Sequence, residues 1–179
     1  LRTAAGAAAD TTIALLRNDP RVRFAEANVE NETPEGRKRS AWLVGGDAGI
    51  YATQWAPTAL RLPEAHATSL GAGMRVAVLD TGLDLAHPAL ANRLARNNAG
   101  VLLGRDFVDD DADPSEVGAG IDPGFGHGTH VAGLVALAAP GAKIMPLRVL
   151  DADGAGNAWV LGEAMLHAVD PDRNPASDD

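Results

Sequence analysis

The sequence predicts an α/β domain built around a parallel sheet, and three observations carry that prediction. Short, continuous apolar runs at 74–79 and 143–150 have the length and the Val, Ile and Leu content of strands buried on both faces. Segments 128–138 and 160–168 place apolar residues at helical spacing. Turn-forming pairs, Thr81-Gly82 and Pro140-Gly141, end a run and a helix respectively. Strands that alternate with helices imply parallel pairing through right-handed crossovers.

Taken in order, 3–17 is Ala-rich, carries Ile13, Leu15 and Leu16 near its end, and predicts a short helix. Asn18-Asp19-Pro20 stops it, and Arg21-Val22-Arg23-Phe24 alternates polar and apolar residues as a half-buried strand would. A small αβ piece over 1–32 results. Segment 33–50 is polar and turn-rich, with Pro34, Gly36, Gly45 and Gly46, and reads as a linker. The main domain is then expected over 51–179. Its first strand is 74–79, and Pro88–Leu94 predicts a short helix with Pro88 in the first turn. Val101–Val108 is a second strand candidate, and 109–126 an acidic loop rich in Gly and Pro. The helix over 128–138 and the strand over 143–150 follow. Asn157 is placed to cap a helix carrying Val160, Leu161, Ala164, Met165 and Ala168. The polar stretch from Asp170 to Asp179 reads as a frayed end.

Composition removes several function classes. A net charge of -9 argues against a nucleic-acid partner, because phosphate binding needs clustered Lys and Arg. The one basic cluster, Arg37-Lys38-Arg39, sits in the linker, as a solvated loop or a protease-sensitive junction. With no cysteine there is no disulfide, thiolate nucleophile or thiolate metal site. No run reaches the roughly 18 apolar residues of a membrane helix. The first residue is Leu1 and no signal peptide is visible, so the chain is expected to start part-way into a longer precursor.

Two motifs carry chemistry. Val76-Ala77-Val78-Leu79-Asp80-Thr81-Gly82 sets a carboxylate at the end of a buried strand, where open α/β sheets build their sites. Gly126-His127-Gly128-Thr129-His130-Val131-Ala132-Gly133 sets a histidine at a helix start. A carboxylate so placed must be paired or hydrogen-bonded, and an imidazole is the natural partner. An aspartate that accepts the ring N–H fixes the tautomer and leaves the other nitrogen to take a proton. The positive end of the helix dipole helps to keep His127 neutral at rest. Gly126 and Gly128 leave room for a close approach by backbone or substrate. Taken singly, Asp80 is also readable as a turn-capping carboxylate and His127 as a helix-start residue bonded to backbone.

The two motifs, in the order Asp then His, resemble those of subtilisin-like serine peptidases, in which the serine comes last. The resemblance covers roughly 51–169, about the first half of such a catalytic domain. It implies a parallel sheet with helices on both faces, an Asp80–His127 pair as two members of a catalytic triad, and polypeptide substrates. It further implies a monomer when intact, a secreted or extracytoplasmic location, and no cofactor for the chemistry. By the same resemblance, 1–32 looks like the last part of an inhibitory propeptide; an ordinary N-terminal αβ unit is the other reading.

His130 and His87 match motif positions and read as structural. His66 and His167 stand outside any motif and read as surface residues. No His-Glu-x-x-His arrangement supports a zinc peptidase. Asp106, Asp109, Asp110, Asp111, Asp113 and Glu116 crowd one loop, but Pro114 and Gly120 break the helix–loop–helix calcium pattern. The family's calcium ligand after the His-Pro dipeptide is here Ala89, and Asp151-Ala152-Asp153-Gly154 lacks later ligands. An acidic solvated loop is therefore expected, with structural calcium as the alternative.

Ser40, Ser69, Ser115 and Ser177 all lack the Gly-Thr-Ser context of the family's nucleophile. The oxyanion-hole asparagine also belongs to a later segment, and Asn157 does not replace it. The expectation is a serine endopeptidase represented by a piece without its serine, inactive by itself. Two rivals remain at this point: a pseudo-peptidase that only binds partners, and an aspartic peptidase using Asp80, which would need a second carboxylate.

Overall fold

The computed structural model describes residues 8–32 and 48–172. Its centre is a three-stranded parallel sheet of order β2-β4-β3, formed by β2 (Arg75–Asp80), β4 (Lys143–Arg148) and β3 (Arg105–Asp106). β2 and β4 are in register from Arg75 opposite Lys143 to Asp80 opposite Arg148. Successive strand residues face opposite sides. Val78 and Ile144 therefore pack with Ala132 and Ala136 of helix α5 (His127–Ala138), together with Leu83, Leu90 and Leu94. Ala77, Leu79, Met145 and Leu147 pack on the other side with Val160 and Ala164 of helix α6 (Ala158–Val169). Helices thus cover both faces, and the fold is the α/β architecture that the alternating pattern implies.

β2, α5, β4 and α6 fall where the sequence predicts them. Asn157 caps α6 by accepting from Val160 N at 3.1 Å. Elsewhere the chain departs from expectation. Helix α1 is Ala9–Arg17, while the first residues of the expected helix lie outside the described residues. The Val22–Phe24 strand does not form. Asp19 instead holds a turn, accepting from Arg21 N at 2.9 Å, while Val22 N bonds Asp19 O. Phe24 is left 74% exposed. The strand of this piece is β1 (Glu30–Glu32), antiparallel to an unforeseen β5 (Ala155–Asn157). Its residues have no apolar alternation; the Asn28 side chain, bonded to Asn157 and to Trp159 N, anchors the pairing.

The linker expected at 33–50 lies mostly outside the described residues, and its end belongs to helix α2 (Ala48–Thr53). Two more short helices, α3 (Trp55–Ala59) and α4 (Leu62–His66), lead to β2. Pro88–Leu94 is not a helix begun by Pro88. It is a pair of turns at 84–90 followed by a single 3₁₀ turn, Ala91–Arg93, pinned by the buried Leu90 and Leu94.

The Val101–Val108 strand shrinks to two residues, for a reason visible in β4. Pro146 has no N–H to give the ladder. Gly104 packs on it, and a Cβ there would stand 3.0 Å from Pro146 O and 2.7 Å from Pro114 Cγ. The ladder to β3 begins only after it, with Arg105 opposite Leu147. Before it, Ala95 N takes Ile144 O at 2.7 Å, and Leu103 N turns back to Ala95 O.

Candidate active site

Asp80 is the last residue of β2, at the carboxyl end of the sheet. Its carbonyl accepts from Val149 N at 2.9 Å and Leu150 N at 3.2 Å, which locks the strand end to the chain leaving β4. Its side chain is 9% exposed, and Oδ1 accepts from its neighbour Thr81 N at 2.8 Å. His127 opens α5, and its Nδ1 lies 2.6 Å from the same oxygen. With the carboxylate ionised, that nitrogen carries the hydrogen and donates it, so Nε2 is the basic lone pair.

The glycines of the motif admit backbone. A Cβ on Gly128 would lie 2.0 Å from Gly82 O, so only glycine lets the first turn of α5 sit on the turn after β2. The Gly128 N–H donates to Thr81 Oγ1 at 3.1 Å, and Gly126 enters the helix at φ 86°, a conformation side chains disfavour. Tyr51 of α2 closes the other end by donating to Gly133 O at 2.6 Å.

Beside the pair, Arg148 is buried and donates to Asp106 Oδ2 at 2.5 Å and Asp109 Oδ2 at 2.6 Å. Asp106 also accepts from Val108 N and Asp109 N. It is thus a buried ion-pair residue and not part of a solvated loop. Asp111 and Asp113 each accept from the backbone two residues on, and Asp110 pairs with Arg105. Asp151 closes its own turn onto Asp153 N and Ala155 N. Among the described residues no three His, Asp or Glu side chains gather as a metal-binding group.

The remaining histidines stay apart from the pair's chemistry. His87 Nδ1 accepts from Ala89 N at 3.3 Å, and His130 is exposed on α5. His66 and His167 are only half exposed: His66 bonds Ala138 O, and His167 stacks edge-on against Phe107. Ser69 accepts from Gly71 N and Ser115 donates to Asp113, each serving a local turn. The sequence reading missed Glu116 as a neighbour of the site. Its carboxylate accepts from Thr129 Oγ1 at 2.9 Å, a contact that nothing in an acidic loop announces.

The site thus sets a buried aspartate against the imidazole of a helix-start histidine, an arrangement able to fix the tautomer and orientation of a base. Residues 71–175 match the model of the subtilase family, Peptidase S8, and the chain belongs to that family. It is 30% identical over 172 residues to a thermophilic serine proteinase of Bacillus sp. strain AK1, covering 90% of this chain and 37% of that protein. It is 34% identical over 134 residues to thermitase of Thermoactinomyces vulgaris, covering 69% of this chain and 43% of that one. A lanthipeptide protease of known structure superposes with TM-score 0.55 at 28% identity, over 74% of this chain and 36% of that chain. The chain thus spans well under half the length of these relatives. Further relatives include proteases named as extracellular and as intracellular.

Proposed function

We propose that Asp80 and His127 are the orienting carboxylate and general base of a serine endopeptidase whose nucleophile lies outside these 179 residues. The observation that carries this reading is the 2.6 Å contact between His127 Nδ1 and a buried Asp80 Oδ1. His127 Nε2 takes the proton of the serine as its oxygen attacks the peptide carbonyl, then delivers that proton to the leaving amine. Water, deprotonated by the same nitrogen, releases the acyl group. Asp80 stabilises the imidazolium through both proton transfers. The aspartic peptidase reading is not favoured: the bonded partner of Asp80 is an imidazole, and the matched family is one of serine peptidases.

The protein extended past Asp179 is expected to label with a fluorophosphonate probe, and His127→Ala to lower turnover by about four to six orders of magnitude. Pepstatin sensitivity without labelling would overturn the reading. The 179-residue chain by itself is expected to show no turnover; cleavage that His127→Ala abolishes would refute that. Secretion is proposed with the extracellular relatives in view. No helix among the described residues is long and apolar enough to cross a membrane.

A second reading concerns 1–32, proposed to be a propeptide-like piece. β1 lies along β5 as an added polypeptide strand would, with Glu30 opposite Asn157 and Glu32 opposite Ala155. Trypsin cutting at Arg37-Lys38-Arg39 is expected to leave 1–32 associated with the rest; separation of the two pieces on gel filtration would count against it.

A further inference from the structure

α5 starts without a side-chain cap of its own, because its N-cap residue is Gly126. A helix start exposes backbone N–H groups that need acceptors. Here the acceptor arrives from another segment. The half-buried Glu116 accepts from Thr129 Oγ1 at 2.9 Å, and it takes weaker hydrogen bonds from Thr129 N at 3.5 Å and the Gly126 backbone. The Thr129 hydroxyl accepts in turn from Asp84 N at 2.8 Å. Glu116 N donates to Leu83 O, and Leu83 N to Pro114 O. Glu116 thus holds the turn that follows Asp80 through its backbone and the helical turn that carries His127 through its carboxylate.

We propose that Glu116 is a positioning residue, which holds the first turn of α5 against the turn after β2 and so keeps the His127 ring on Asp80. The inference rests on the peptidase reading and deepens it. Burial pushes the Glu116 carboxyl above its ordinary value; the bonds from Thr129 and Gly126 pull it back, and the charge of Asp80 adds to the rise. An ordinary loop carboxylate would turn to water instead. A carboxylate kept half-buried beside another, at a cost in desolvation, serves the arrangement it holds.

The test is NMR of the His127 ring in the 179-residue chain, with exchange of its Nδ1 hydrogen as the readout. Glu116→Ala and Thr129→Val are each expected to speed that exchange about tenfold, the scale of one hydrogen bond to a charged group. The double variant should fall short of the two single effects added together, because both variants break the bond from Thr129 Oγ1 to Glu116. Glu116→Gln keeps an acceptor for the hydroxyl and should fall between. Unchanged exchange in the single variants, or effects that add in the double, overturns the proposal. So does a lowered unfolding midpoint with His127 exchange unmoved, which would assign Glu116 to stability alone. If Glu116→Ala fails to fold, Thr129→Val and Glu116→Gln carry the test. Failure of the peptidase reading shows separately, as absent fluorophosphonate labelling of the extended protein with Glu116 intact.

Discussion

α5 and α6 are helices of equal length on opposite faces of one sheet, and they are held in different ways. α5 buries Gly128, Ala132, Gly133 and Ala136, a stripe of small residues that brings its backbone close to β2. α6 buries only Ala164 and leaves Trp159, Met165, Leu166 and Val169 more than half exposed. Apolar content does not separate them; side-chain size does. Small residues permit approach to backbone distance, and that approach sets His127 on Asp80. On α6 the large residues stay outside, and Val160, Ala164 and Ala168 make its contact with the core. The helix that carries His127 is the one whose packing tolerates least change.

Substitutions sharpen the contrast. Gly128→Ala should have the largest effect, about 4 kcal/mol or more of lost stability in denaturant unfolding, because its Cβ meets Gly82 O at 2.0 Å. A wild-type midpoint would break the account of α5. Ala132→Leu, at a fully buried position in α5, should lose about 1–3 kcal/mol by overpacking. Gly162→Ala in α6 has the opposite sign: nothing lies within 4 Å of the added Cβ, so stability should rise by about 0.5–1 kcal/mol. Destabilisation there would show α6 to be as tightly held as α5.

The smallest effect concerns pH. Because the folded-state pKa of Glu116 is raised, the folded protein binds more protons than the unfolded chain just above pH 4.5. The wild type should therefore lose stability relative to Glu116→Gln as pH rises from about 4.5 through the folded pKa. Parallel stability curves for the two proteins would show that Glu116 is not desolvated.

Legibility followed the kind of interaction. β2, β4, α5 and α6 could be read because burial on both faces leaves a continuous run or a helical period in the residues themselves. Val22–Phe24 misled because Asp19 spends the same backbone on a local turn. β1 and β5 left no pattern, since each is defined by the other's edge across a long stretch of chain. Asp80 and His127 could be read because each sits in a motif of glycines whose spacing has a steric purpose. The bond from Glu116 to Thr129 had no such mark.

The sequence alone determined the family, the alternation of strands and helices, and the residues of the candidate pair, because these depend on local period and on rigid motifs. The tertiary structure alone decided which loop carboxylate is buried, where β3 begins, and what closes the start of α5. Those depend on distances between segments remote in sequence. β3 supplies Asp106 to Arg148 and the loop after it supplies Glu116 to Thr129, and only packing separates these two from the more exposed carboxylates between them.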